Sequence, residues 1–348
     1  MIEEARTANN VRSFGALAGT RERRESSPGR LSSGEFRPAQ EGRAINQELA
    51  HAAGFTAGRF AVYYDVIEPA SGPTRPTVVM LHGGAHTGAC YLRTVDGRPG
   101  WAQVFAARGH RVVTPDWPGI GRSCTIAPED HTGEVVVEGL GALLATLPPP
   151  LFLVTHSMSG AYGWRLLELH KDRVARVVGV APSPPGNIIP EPEIIAESDT
   201  EVELQAGPIR FHLSKRAPYR VDRAFIDKKV VGDGRFFPRH LVDAYAATLQ
   251  AIPARLILAR QNFARGQIRV ERPQALAGKR VLVLTGTNDI DHTRAIDGAT
   301  ARWLTEAGAK ADFIYLGDRG IVGNGHMLML EENSDAIAAL ILDWLEQP

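Results

Sequence analysis

Short apolar runs punctuate the chain from residue 59 onward, and longer helix-like stretches separate them. Phe60, Val62, Tyr64 and Val66 alternate with other residues, the period of two that a half-buried strand shows. Thr77–Leu81, Arg111–Pro115, Leu151–Thr155, Val177–Val180, Val281–Leu284 and Phe313–Leu316 are continuous apolar runs, most of them rich in β-branched residues. Strands buried on both faces of a parallel sheet read this way. Between them, Trp101–Arg108, Gly133–Leu147, Gly160–His170, Thr293–Ala307 and Asp335–Glu346 carry helical patterning. Strands alternating with helices predict βαβ units, hence a mostly parallel central sheet flanked by helices.

The alternation lapses between residues 184 and 273, where prolines, mixed charges and helical patches such as His240–Leu249 take over. That segment is too long for a plain loop. It predicts a helical cap, 184–273, inserted after the sixth strand, the one ending at Val180. The core is then 51–183 together with 274–348. Residues 1–50, rich in Arg, Glu, Ser, Gly and Pro, predict a flexible tail or surface arm.

Charge adds exclusions. Of 348 residues, 39 are Lys or Arg and 39 are Asp or Glu, so the formal net charge is zero and the basic footprint of a nucleic-acid binder is missing. No apolar run reaches the roughly 18 residues of a membrane helix. The N-terminus lacks the apolar core of a signal peptide, and Arg23-Arg24 is followed by polar residues, unlike a twin-arginine signal. These features lead us to expect a cytoplasmic protein with neither nucleic-acid nor membrane partners. Cys90 and Cys124 lack metal-ligand spacing and are expected as reduced, packed thiols. The histidines are scattered and make no metal set. No metal or cofactor is expected.

The chemistry centres on Thr155-His156-Ser157-Met158-Ser159-Gly160, between an apolar strand and a helix-like segment. A nucleophile elbow needs that context, a sharp strand-to-helix turn that lifts a hydroxyl above the sheet. Thr155 and Ser159 stand where the usual pattern has glycine. Ser159 competes as nucleophile, but the strand stops at Val154, so Ser157 falls at the turn. A serine hydroxyl needs a base. His326, in Gly323-Asn324-Gly325-His326-Met327, follows the last strand and precedes the last helix. Along the chain the acid is expected between the two. The loop after Val281–Leu284 offers Asp289, with Asp291 as runner-up acid or as a helix cap. For an oxyanion, the backbone N–H groups expected are those of Met158 and of Gly84, with Ala85 next, in Leu81-His82-Gly83-Gly84-Ala85. His82 is expected to support that loop and His156 to pack behind the elbow. Ala85, His86, Phe236 and Phe237 are the candidate substrate-binding residues, and Phe211, Tyr219 and Tyr245 are further aromatic candidates from the cap.

Together with Asp116-Trp117-Pro118-Gly119-Ile120-Gly121-Arg122-Ser123, these segments in this order resemble the α/β-hydrolase superfamily over residues about 60 to 346. The insertion Asp96–Trp101 and the stretch Gly323–Met327 make the chain similar to a group of bacterial carboxylesterases. In that group the acid is often a Glu after the earlier strand. Here that segment is Ala181-Pro182-Ser183, which has no carboxylate. The resemblance implies ester cleavage through an acyl-enzyme without a cofactor, and a homodimer enters only through it.

The expected function is therefore a serine hydrolase of carboxylic esters with small to medium apolar parts. Lactone opening or carbon–carbon bond hydrolysis by the same residues is the alternative within enzymes. A catalytically inactive ligand-binding relative is the alternative outside them. Dehalogenase and epoxide hydrolase chemistry fits less well, because those relatives carry a carboxylate where Ser157 sits.

Overall fold

A computed structural model describes residues 49–207 and 209–348. The predicted tail, 1–50, falls almost wholly outside the described residues. The central sheet has eight strands, β1 (Ala50–Phe55), β2 (Tyr63–Glu68), β3 (Arg75–Leu81), β4 (His110–Pro115), β5 (Leu151–His156), β6 (Val174–Val180), β10 (Arg280–Thr285) and β11 (Lys310–Tyr315), in the order β1-β2-β4-β3-β5-β6-β10-β11. β1 and β2 form an antiparallel hairpin, β2 runs antiparallel to β4, and every pairing from β4 to β11 is parallel. The mostly parallel sheet flanked by helices expected from the pattern, and the α/β-hydrolase fold that the resemblance implies, are thus observed.

The continuous apolar runs are explained by burial on both faces. Val79, Leu153 and Val283 point into one core with helices α2 (Gly133–Thr146), α3 (Ser159–Leu169) and α5 (Arg294–Glu306). Their neighbours Val78, Val154 and Leu282 point into the other, with α1 (Trp101–Ala107) and α6 (Ser334–Leu345). The result is a three-layer sandwich with the sheet in the middle.

The segment between β6 and β10 departs from its expected helical character. It opens with a separate antiparallel sheet of β7 (Glu193–Glu197), β8 (Glu201–Ala206) and β9 (Ile209–Ser214). Only then do short helical turns follow, including Val242–Ala246 and α4 (Ala254–Arg260). Val202 and Leu204 from β8 and Ile209, Phe211 and Leu213 from β9 join the core shared with α2 and α3, so the small sheet is packed down rather than projecting. Among the described residues no helix is long and apolar enough to cross a membrane.

Candidate active site

Ser157 sits between β5 and α3 with φ 52°, a left-handed conformation for a non-glycine residue. Such a residue costs of order 1–3 kcal/mol and persists only where its surroundings over-determine it. Here they do. Its N–H donates to Val180 O (3.1 Å), and its carbonyl accepts from Gly160 N (2.8 Å) and Ser183 N (2.8 Å). The close packing also explains the small residues nearby. A Cβ on Gly160 would stand 2.5 Å from Pro182, and one on Gly83 would stand 2.9 Å from Ser157 Cβ.

The Ser157 hydroxyl lies 3.1 Å from His326 Nε2, and His326 Nδ1–H donates to Asp289 Oδ2 at 2.6 Å. The tautomer follows from the network: an ionised carboxylate can only accept, so Nδ1 carries the proton and Nε2 is left as acceptor. The other oxygen of Asp289 accepts from the N–H groups of Asp291 (3.0 Å) and His292 (3.1 Å). Burial opposes ionisation of Asp289, yet the charge of His326 and its hydrogen bond hold this carboxyl well below the usual range. Burial, and after it the Lys229 ammonium, pulls His326 down to about 4, against the upward pull of Asp289. At neutral pH the imidazole is therefore an uncharged acceptor facing a hydroxyl, an arrangement that can take a proton from it.

Ser159, the competing nucleophile, is fully buried with its hydroxyl engaged. It donates to His82 O (2.5 Å) and accepts from Trp117 Nε1 (3.1 Å). Asp291, the competing acid, does not reach His326. It pairs instead with Lys229 Nζ (3.1 Å) and Arg260 Nη2 (3.2 Å). Nor does it cap the following helix, whose first turn is capped by Thr293.

The loop after β3 is held from three sides. His82 Nδ1–H donates to Gly83 O (2.8 Å) while its Nε2 accepts from Trp117 N (3.2 Å). Gly88 N donates to Asp116 (2.8 Å), whose carboxylate is clamped by Arg122. His86 Nδ1 lies 2.7 Å from Gly84 O and its Nε2 lies 2.9 Å from Tyr245 OH, in the insert. Gln250 N, also in the insert, donates to Ala85 O (2.8 Å). A Cβ on Gly84 would meet Met158 Sδ at 2.3 Å, so glycine at residue 84 lets this loop and the Met158 side chain of the elbow lie together as they do. Among the described residues, no hydrogen-bond acceptor takes the Met158 or Gly84 N–H.

A cavity opens beside Ser157, lined by Gly84, Ala85, His86 and Met158 from the core and by Phe211, Val221, Phe225, Tyr245, Leu249, Ile252 and Ile257 from the insert. Ala85 and His86 lie where the sequence suggested. Phe236 and Phe237 do not: neither lines the cavity, and Phe237 is buried in the opposite core with its ring 5.2 Å from that of Tyr245. Phe237 serves packing, Phe236 is partly exposed at the surface, and Phe225 faces the space in their place. Lys229, Arg260 and Asp291 form one charged corner of the cavity, with Lys229 Nζ 3.4 Å from His326 Nε2. Lys229 and Arg260 had no signal of their own in the sequence, since each reads as a solvated charge. A further brace holds the His326 loop. The buried Glu331 carboxylate accepts from Asn324 Nδ2 (2.5 Å) and Gly325 N (2.6 Å), and burial pushes it up to about 7. Among the described residues, no group of three or more His, Cys, Asp or Glu is placed to hold a metal ion.

Residues 78–340, which span the elbow, the acid loop and the histidine loop, match the model of the alpha/beta hydrolase family. The chain belongs to that family. As an alpha/beta hydrolase it is 25% identical to a probable secreted lipase, phiG, of a fungal species (strain ATCC 74256), over 83% of this chain and 86% of that protein. It is 28% identical to a carbendazim hydrolyzing esterase of Nocardioides over 51% of this chain, which spans 60% of that esterase. Its fold is that of a bacterial esterase structure, with a TM-score of 0.51 at 16% identity over 85% of this chain and 95% of that one. Its family makes the chain a hydrolase.

Proposed function

We propose that this alpha/beta hydrolase is a serine esterase that cleaves carboxylic esters with small to medium apolar parts through an acyl-enzyme. The observation that carries the reading is the unbroken path from Ser157 Oγ through His326 to Asp289, at 3.1 Å and 2.6 Å. Ser157 Oγ attacks the ester carbonyl carbon as His326 Nε2 takes its proton. The tetrahedral oxyanion is met by the N–H groups of Met158 and Gly84, which have no other acceptor. His326 then gives the proton to the departing alcohol. Water, activated by the same imidazole, attacks the acyl-Ser157 carbonyl, and the acid is released with Ser157 restored. Asp289 keeps Nδ1 protonated and stabilises the imidazolium that forms twice per turnover. No cofactor is needed at any step.

The test is hydrolysis of p-nitrophenyl esters of rising acyl length by wild type and Ser157→Ala, with fluorophosphonate labelling in parallel. Turnover of a range of lengths, lost together with labelling in the folded variant, supports the reading. Turnover that survives in Ser157→Ala overturns it.

A further inference from the structure

Apart from the reacting residues, the charged side chains that line the cavity gather at one corner, Lys229, Arg260 and Asp291, beside the reacting atoms. Lys229 and Arg260 are almost wholly buried, with 10% and 11% of their side chains exposed, and they share a single carboxylate oxygen, Asp291 Oδ2. Among the described residues no second carboxylate lies within ion-pair distance of either. The other nearby carboxylate, Asp289, is committed to His326 and to two backbone N–H groups and does not line the cavity. Two largely buried cations on one anion leave positive charge at this corner, met further only by the Phe225 ring, whose centroid is 6.0 Å from Lys229 Nζ; Arg260 and Asp291 also border a second cavity. Unmatched buried charge is costly unless something pairs with it.

The position of Lys229 sharpens the point. Its Nζ is 3.4 Å from His326 Nε2, while Ser157 Oγ is 3.1 Å from the same atom. A neutral imidazole nitrogen offers one lone pair, so the ammonium and the hydroxyl compete for it. An ammonium there also disfavours the imidazolium that both half-reactions require. A carboxylate arriving with the substrate would draw Nζ off the imidazole and cancel its field. Only a carboxylate on the acyl part remains in place for deacylation, after the alcohol has left. Because Nζ and Oγ both flank one ring nitrogen, that carboxylate must lie within a few bonds of the scissile carbonyl.

Building on the serine-esterase reading, we infer that the substrate carries an acyl-side carboxylate two or three carbons from the scissile carbonyl, as in a half-ester of a short dicarboxylic acid, and that Lys229 and Arg260 bind it. Asp291 then holds the two cations in place between turnovers.

Binding and turnover test this separately. In Ser157→Ala, isothermal titration should show monomethyl glutarate binding at least tenfold more tightly than dimethyl glutarate. Adding Lys229→Met should erase that difference, Lys229→Arg should keep it, and Asp291→Asn should strengthen binding of the monoanion. In the wild type, the p-nitrophenyl half-ester of glutaric acid should exceed p-nitrophenyl valerate about tenfold in kcat/KM, with the order reversed in Lys229→Met. Thermal unfolding checks that each variant folds. Equal binding of the two glutarates, or a preference that survives Lys229→Met, overturns the inference. Ser157-dependent hydrolysis of valerate at least as fast as of the half-ester overturns it too while leaving the esterase reading intact. Charge-selective binding without any ester turnover would overturn the esterase reading instead.

Discussion

Replacing Asp289 by Asn changes one atom and separates two jobs. Oδ1 accepts two backbone N–H groups at the turn into α5, and an amide oxygen can do the same. Oδ2 accepts the Nδ1 proton of His326 at 2.6 Å, and there the amide presents N–H instead. Two donors cannot face each other, so the ring must shed its Nδ1 proton and carry it on Nε2. That nitrogen then points a proton at Ser157 Oγ, 3.1 Å away, and has no lone pair to offer it. The loss expected for the wrong tautomer is about 10⁴-fold in kcat, or about 5.5 kcal/mol at 1.36 kcal/mol per decade. Stability should hardly change, by ~1 kcal/mol or roughly 2–4 °C in melting temperature, because the turn keeps its acceptor and a buried charge is removed. The assay is saturating hydrolysis of p-nitrophenyl butyrate beside a thermal melt, with Asp291→Asn as control. Asp291→Asn should lose far less turnover of this neutral ester than Asp289→Asn, since Asp291 does not touch His326 and acts on it only through the freed Lys229 ammonium. An Asp289→Asn enzyme retaining a tenth of wild-type kcat, or an Asp291→Asn enzyme falling as far, would refute the reasoning.

Ser159→Ala should stay catalytically competent but lose about 1–3 kcal/mol of stability, since His82 O and Trp117 Nε1 are left buried without a partner; chemical denaturation measures it, and loss of fluorophosphonate labelling would show that Ser159, not Ser157, is the nucleophile. His326 must be unprotonated to accept the Ser157 proton, and it is pulled down to about 4, so kcat/KM should fall only as pH drops through about 4 and stay level from there to neutrality; an acidic limb near 6.5 would contradict this. Gly84→Ala should lower the activity, because its Cβ would stand 2.3 Å from Met158 Sδ and force the Met158 side chain at the elbow to move; undiminished steady-state turnover would dissociate Gly84 from the oxyanion. Phe237→Ala should destabilise by about 3–5 kcal/mol yet leave acyl-length preference unchanged, whereas Phe225→Ala should extend that preference to longer chains; chain-length profiles of both variants decide it.

The parallel strands and the elbow were legible because burial on both faces leaves an uninterrupted apolar run, and a strand end followed by a helix pattern places the turn. β1 was not legible. Ala50–Phe55 is mostly exposed and joins the sheet only through its ladder with β2, so no periodicity marks it. β8 and β9 did carry a signal, in Val202 and Leu204 and in Ile209, Phe211 and Leu213, a period of two on either side of a turn at Gly207. The surrounding prolines and charges drew the reading toward helix. The sequence narrowed the acid to one loop, with Asp289 preferred and Asp291 as runner-up or helix cap, and could not separate them further; in the structure Asp289 lies on His326, while Asp291 pairs with Lys229 and Arg260. Lys229 lay beyond reach. It sits beside Asp227 and Lys228 in a stretch that reads as a solvated face, and its contact with His326 joins residues 97 apart in the chain.

The bonds from Gln250 to Ala85 and from Tyr245 to His86 have a mechanical consequence. An insert that hinged away like a door would tear both, and would release the very loop that the proposed mechanism relies on to meet the substrate oxygen. The segment behaves as masonry: it shapes the chamber and shores up the loop at once. On the proposed mechanism, redrawing the chamber for a different guest therefore disturbs the loop, and with it the reaction rate, in the same stroke.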